Sequence, residues 1–540
     1  MSTEEKPKQK PANRVVTKVI QSKMVSGNMG ASFNGGIGAG YPIQTTVDFA
    51  KETGRRGAET IGLGGGPASV AIANVTVARR RSRHAVLTNP YAKRGVDILV
   101  SNVVGTGHRL ISMCSNEELR KQIEDLWEEW CEVPDVSGKL SMSGIEELAF
   151  KSSMEGGDSF VRMRTRRPED NLPVPLQLQL LESEQVPISM NQMNGGNKIL
   201  AGIEFGPIGN PVAYHIHRNH PGELSSFELT QAIQDIARVP ADQIAHIHDV
   251  RRPNEVRGFP VLSQSLIQLS DLDRYLDAEL VRKKAAALIG GFIRKPIDGQ
   301  NIMMPMVTGE EDDTEIHIEA MEPGSFPILP EGYDVSFSAP ADVGANFAVF
   351  VKQQLLMVSA AINVTYEQLT NDLTGANDRT LRASMLEFKR IATQYQRGML
   401  VHQLLRPVFS RWMDLAILSG ALKLPAGVTL RDAKRVRWVA DPWEYMNPLQ
   451  DINAKILEVR AGFTSRSEII IQNGGVPEDT DKQIRADRDR EEQLDLVFTT
   501  NPGVVSNAGV SQASDPSKTL KDDGNEEEPE QTEEGNQNGA

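Results

Sequence analysis

The sequence predicts an α+β protein, and three observations carry that expectation. Between residues 158 and 250, apolar and polar residues alternate in segments separated by Gly, Pro and Asn, the period of antiparallel strands. On either side, stretches near 90–104, 116–130, 262–289, 345–363 and 379–419 repeat apolar residues three and four apart, the period of a helix that buries one face. A turn-rich insert at 293–344, carrying six prolines from Pro296 to Pro340, separates two of those helices. At roughly 150 residues per domain, a chain of 540 residues holds three or four structural units.

The elements follow in order. The first 40 residues are lysine-rich and then glycine-rich, and such sequence cannot repay its ordering entropy by burial. A flexible arm is expected there, reaching as far as residue 85. The run IGLGGGPAS within it lacks the Lys-Ser/Thr of a phosphate-binding loop. Asn89 as cap and Pro90 as first residue start a helix that Gly105 stops. Ser115 with Glu118 reads as a capping box for a second, whose Leu119, Ile123, Leu126, Trp127 and Trp130 share a face. The strand segments are DSFVRMRTR, PLQLQLLE, ILAGIEF, NPVAYHIHR and AHIHDV. Helix returns at Leu262, with Asp271, Asp273 and Asp277 early and Arg282, Lys283 and Lys284 late, in accord with the helix dipole. A further helix spans 345–363. A polar run, NDLTGAND, then leads into a rod from Arg379 to Ser419, about 60 Å long at 1.5 Å per residue, with a kink expected at Pro407. A short strand, KRVRWVA, precedes helical segments near 448–461 and 464–472.

Charge and chemistry narrow the function. The net charge is −14, and residues 511–540 hold nine acidic residues against two lysines; a disordered acidic tail is expected from 501. A protein that wraps nucleic acid tightly needs a basic footprint, so any contact here is local or weak. No run of about 18 apolar residues appears, so no membrane helix is expected. Two cysteines without a CxxC spacing fit a reducing compartment. The pairs His215/His217 and His246/His248 would each point to one face of a strand, as metal ligands or as surface or interface histidines. Arg79, Arg80, Arg81, Arg83 and His84 form a basic cluster that fits phosphate contact, a solvated helix or a subunit interface. No spacing typical of a catalytic nucleophile or metalloprotease occurs, so no catalytic residue, metal or cofactor is assigned.

Seven blocks, in this order, resemble the lambda-type portal proteins of tailed bacteriophages. They are NPYAKRGVDILVSNVVGTGHRLIS; GGDSFVRMRTRR with LPVPLQLQLLE; GNPVAYHIHRNHPGE leading to RRPNEVRGFPVL; DLDRYLDAELVRKKAAALIGGFI; EPGSFPILPEGYDVSFSAP; YEQLTNDLTGANDRTLRASMLEFKR; and PVFSRWMDLAILSGALKLP. Together they cover roughly residues 85–490. The resemblance implies a non-enzymatic homo-oligomeric ring, usually a dodecamer, at one vertex of the virion, through which double-stranded DNA passes. It implies as partners the large terminase subunit, the major capsid or scaffold protein and a head-completion or tail-connector protein, with assembly in the host cytoplasm. The implied fold has a wing (86–261), stem helices (262–292 and 345–363), a clip (293–344), a tunnel loop (364–378), a long wing helix (379–420) and a mainly helical crown (421–500). On that placement Thr374, Gly375, Ala376, Asn377, Asp378, Arg379 and Arg382 are the candidate channel-loop residues, and Asp271, Asp273 and Asp277 candidate linings of the stem. Where family members often carry a Tyr/Ser-rich segment before the long helix, this chain has ANDRT. The readings from another class or role are a metal-dependent hydrolase using the paired histidines and a head-to-tail connector ring.

Overall fold

Pro67 opens the first helix of the computed structural model, which describes residues 66–223, 236–288, 292–294, 334–336, 344–443, 447–494 and 496. This helix, α1 (Pro67–Thr88), takes the place of the last part of the expected arm. Its residues Val70, Ala71, Asn74, Val75, Ala78, Arg79 and Ser82 are buried at helical spacing. The preceding glycine run disguised this periodicity as linker. The arm's first 65 residues lie outside the described ones.

Asn89 caps α2 (Pro90–Val103) as the sequence predicts, its side chain accepting from the amides of Tyr91 and Ala92 at 2.9 and 3.0 Å. A short strand, β1 (Arg109–Ser112), leads to α3 (Glu117–Cys131). Its cap is Asn116, which accepts from Leu119 N at 2.8 Å. Ser115, the expected cap, instead donates its amide and hydroxyl to Asp432. After α4 (Met142–Gly156) the strands begin: β2 (Asp158–Thr165), β3 (Leu176–Glu182), β4 (Gln192–Asn194), β5 (Asn197–Leu200), β6 (Ile203–Phe205), β7 (Pro211–His217), β8 (Ile236–Pro240) and β9 (Ile244–His248). They form two antiparallel sheets, ordered β3-β2-β9 and β4-β5-β6-β7-β8. The segment ILAGIEF, expected as one strand, folds into a hairpin because Ala201 and Gly202 both take positive φ (51° and 80°), as a two-residue turn that follows strand twist requires.

The second half is mainly helical. α5 (Leu266–Leu288) runs out to β10 (Phe292–Arg294), which pairs with β11 (Asp334–Ser336), and α6 (Gly344–Ile362) returns. Tyr275 meets Phe350 and Phe347 (ring centroids 4.7 and 5.9 Å), and Lys283 lies over Phe347, so later residues of α5 face earlier ones of α6 and the pair is antiparallel. α7 (Tyr366–Thr370) follows, then α8 (Asp378–Tyr395), a π-helical stretch Gln396–Leu405, and α9 (Arg406–Ser419). The π stretch ends at Leu405, two residues before Pro407, where a kink is expected. A residue without an N–H, crowding the carbonyl of Gln403 four back, disrupts the ordinary α ladder. A single turn, α10 (Leu430–Ala433), precedes β12 (Val436–Val439), which pairs with β1. Helices α11 (Pro448–Arg460), α12 (Arg466–Gln472) and α13 (Pro477–Gln493) end the described chain.

The main core brings α3, α9 and β12 together through Trp127, whose ring lies 5.0–5.7 Å from Trp130, Trp412, Phe409 and Trp438. Trp130 donates its indole N–H to Leu176 O at 2.9 Å, tying this cluster to β3. Four of the five tryptophans of the chain thus meet in one cluster.

A second feature fixes how helices and sheets meet. Asp158, at the start of β2, is fully buried and faces Arg257, also fully buried. Arg257 donates to Asp158, to Ser183 O and Oγ (2.8 and 2.9 Å), to Val186 O (3.0 Å) and to Ala201 O (3.1 Å). Arg79 of α1 completes the group, reaching Asp158 Oδ1 at 3.3 Å and Gly156 O at 2.8 Å. The two backbones approach so closely that a Cβ on Gly258 would stand 2.1 Å from Gly157 O, and one on Gly157 2.4 Å from Gly258 O. Beside them His246 stacks between Phe160 and His248 (centroids 4.4 and 4.2 Å), with its Nε2 3.5 Å from Asp158. Burial first, and then the neighbouring His246, push the His248 imidazole down to about 3. The carboxyl of Asp158 ionises well below its ordinary range, because Arg257 and its hydrogen-bonding neighbours more than offset burial.

Two tests follow from this knot. Gly258→Ala should lower stability by about 3 kcal/mol or more, since backbone cannot yield as a side-chain tip does; a urea midpoint within error of the parent would contradict the close approach. An unfolded histidine titrates near 6.5, so the parent loses stability as pH falls from there toward 3, and Asp158 adds a further loss below about 4. His248→Phe should flatten the first part of that limb, and an unchanged slope of unfolding free energy between pH 6.5 and 4.5 would contradict it.

Candidate functional site

The polar run at the head of the long helix is built as a short exposed loop on a rigid foot. The foot begins with α7, which Thr365 caps by accepting from Gln368 N at 3.1 Å while Gln368 Oε1 accepts from Thr365 N at 3.0 Å. Leu369 and Ile362 are fully buried beneath it. Arg94 of α2 clamps the end of α7, donating to Gln368 O at 2.8 Å and reaching Asn371 Oδ1 at 3.5 Å. Gly95 permits this packing, since a Cβ there would stand 2.9 Å from Ile362 Cδ1.

The chain then leaves the foot. Asn371 takes the left-handed conformation that ends a helix (φ 59°). Asp372 Oδ1 accepts from Thr374 N at 3.0 Å, Ala376 N donates to Leu373 O at 3.1 Å, and Gly375 sits at φ +78°. The Thr374 hydrogen bonds hold the Asp372 carboxyl below its ordinary range. Asn377 accepts from Arg379 N at 3.1 Å and caps α8, with Thr380 Oγ1 accepting from Asn377 N at 3.3 Å. Leu373, Thr374, Gly375, Asn377 and Arg379 are exposed, whereas Ala376 and Arg382 are half-buried. The expected loop residues therefore share one short junction, and Asn377 performs the capping that its sequence position suggests.

The aspartates of α5 lie elsewhere. Asp271 is half-buried, and Asp273 and Asp277 are exposed. Asp273 accepts from the side chain of Asn89 at 2.7 Å, so it is held against the α1–α2 junction of its own chain.

Several of the other sequence candidates are engaged inside the fold. Within the basic cluster, Arg79 belongs to the buried knot, and Arg83 pairs with Glu184 at 2.7 Å and Glu182 at 3.1 Å. The two HxH pairs sit in different sheets, on β7 and β9. His215 and His248 are buried and His246 is half-buried; His215 faces Glu204 at 3.4 Å. Among the described residues, the grouping of three potential metal ligands is Glu182, Glu184 and His220, which includes neither pair and already holds Arg83. Sequence reasoning missed Arg94, Gly95 and Arg257. Each stands inside a resemblance block, but only their contacts show what they do.

The family model described as "Phage portal protein, lambda family" matches residues 53–396. The chain belongs to that family. It is 28% identical over 438 residues to a probable portal protein of Halomonas phage phiHAP-1, covering 77% of this chain and 81% of the relative. It is 20% identical over 437 residues to portal protein B of Escherichia phage lambda, covering 74% and 81%. A solved structure titled "Neck of empty GTA particle computed with C6 symmetry" matches at TM-score 0.44 and 18% identity, covering 74% of this chain and 94% of that one. Among the described residues, no helix is long and apolar enough to cross a membrane.

The clamp gives a direct test. Gly95→Leu or Arg94→Ala should raise hydrogen exchange of residues 365–377 about tenfold or more while the strands keep their protection; unchanged exchange would show that the foot does not depend on α2.

Proposed function

We propose that this chain assembles into a ring, a dodecamer as the family resemblance implies, at one vertex of a phage head, where double-stranded DNA passes during packaging and ejection. The observation that carries the reading is the exposed junction 371–377, seated on a buried foot at the head of a helical run that continues from Asp378 to Ser419. In a closed ring, identical loops of this size converge without clashing, because their tips are small residues such as Thr374, Gly375 and Ala376. Arg379 and Arg382, in the first turn after the tip, supply brief phosphate contacts. Sparse cations suit a conduit, since a dense basic lining would hold the DNA instead of letting it slide.

The remaining parts take their roles from the same reading. The antiparallel pair α5–α6 is the stem, with Asp271 and Asp277 contributing negative charge that repels phosphate. The insert 293–344, closed at its base by β10–β11, is the clip that meets the large terminase subunit and later a head-completion or tail-connector protein. The sheets and the long helix form the wing beneath the capsid or scaffold, and residues 421–500 form the crown. The work is mechanical and asks no catalysis of the chain.

Arg379→Glu with Arg382→Glu tests the loop assignment. Rings should assemble as in the parent, while DNA packaged per particle falls severalfold, since two attractive contacts per subunit become repulsive. Particles with full-length DNA in parental yield would refute the assignment.

A further inference from the structure

The last three helices, α11–α13, contain no buried residue, although they amount to some three dozen helical residues. Helices this short gain their stability from tertiary packing rather than propensity, and this segment offers itself little. Between α11 and α12 runs an open groove of about 590 Å³, walled by Ile452, Ile456, Ile469 and Ile470. Leu457 and Phe463 lie outside that groove and are 62% and 85% exposed. With Leu449, Ile452, Ile456, Ile484 and Leu494, they leave on the order of 800 Å² of side-chain surface uncovered, one partner's share of a standard interface.

We propose that this segment is an inter-subunit coupling in which Leu457 and Phe463 of one copy seat in the α11–α12 groove of the next copy. The inference rests on the ring assembly proposed above. The occupant is a second copy of this chain because one segment carries both halves of the contact, a projecting apolar edge and an apolar groove at a different place. Such a contact is head-to-tail, the type that closes into a ring when the rotation permits. In a head-to-tail ring that area is divided between the two neighbours of each subunit, so the contact forms one part of a larger subunit interface. At the groove rim Lys455 is turned to Asn473 and Arg466 to Asp481, and Arg460 adds a third cation. The tertiary packing of α11–α13 is then completed by assembly.

The full-length chain is tested as assembled rings, with Leu457→Ser/Phe463→Ser for the edge and Ile456→Glu for the groove. None of these residues is buried in the single chain, so thermal unfolding of the remaining fold should stay at the parental temperature. Rings of either variant should dissociate at protein concentrations about tenfold higher than the parent or more, the scale of a lost interface anchor. Amides of 448–493 should be protected in parental rings and exchange at least tenfold faster in the released subunits. Variant rings with parental dissociation and parental protection would overturn the proposal. So would parental rings whose 448–493 amides exchange as fast as in single subunits, and that result would leave the ring reading standing. A parent that forms no ring under any condition would instead remove the ring reading itself.

Discussion

The buried ion pair of Asp158 and Arg257, pressed beside the backbone contact of Gly157 and Gly258, is the constraint on which the arrangement of helices and sheets depends. A guanidinium with no exposed surface is costly unless each N–H is met. Here it is met by Asp158 and by carbonyls from two separate turns, at 183–186 and at the β5–β6 hairpin. Arg79 brings α1 to the same carboxylate. Asp158, Arg257 and Arg79 thus tie together the start of β2, the exit of β3, the hairpin and the first helix. Removing either partner would strand a charge in the interior, which costs more than exchanging the whole group for apolar residues of the same shape.

From that fixed centre the long helix projects. Gln403, inside the π stretch, holds the edge of β9 by accepting from His248 N at 2.9 Å and donating to His248 O at 3.1 Å, as a neighbouring strand would. The rod is therefore attached to the sheet near its middle, while its head is attached through α7 to α2. An exposed loop between two such attachments can be displaced only by moving its buried foot.

Much of this was legible in the sequence because the local signals were strong. Asn89-Pro90, the alternation in DSFVRMRTR and the stripe Leu381, Met385, Phe388, Ala392 and Tyr395 each specify an element without help from the rest of the chain. Other readings failed for identifiable reasons. Helix α1 was hidden by the glycines before Pro67, and its arginines read as a free basic patch although two of them satisfy buried or half-buried acids. Helix α13 has no apolar stripe; only Pro477 with Glu478 and Asp479 in its first turn signalled it. Ser115 lost the capping role to Asn116 because Asp432, more than 300 residues away, claims its hydroxyl. The resemblance places a tunnel loop at 364–378, but Arg94 and Gly95, which hold the foot of the 371–377 junction, act across long range and leave no local pattern.

The proposed role of the loop 371–377 is to form the narrowest point of a ring-shaped channel. A cryo-electron microscopy map of the assembled full-length chain, fine enough to trace α8, measures it directly. The account predicts a closed ring whose smallest internal radius falls at Thr374–Asn377, with Arg379 within reach of the passage. A ring whose constriction lies at the α5–α6 pair, or whose 371–377 loops face outward, would contradict it.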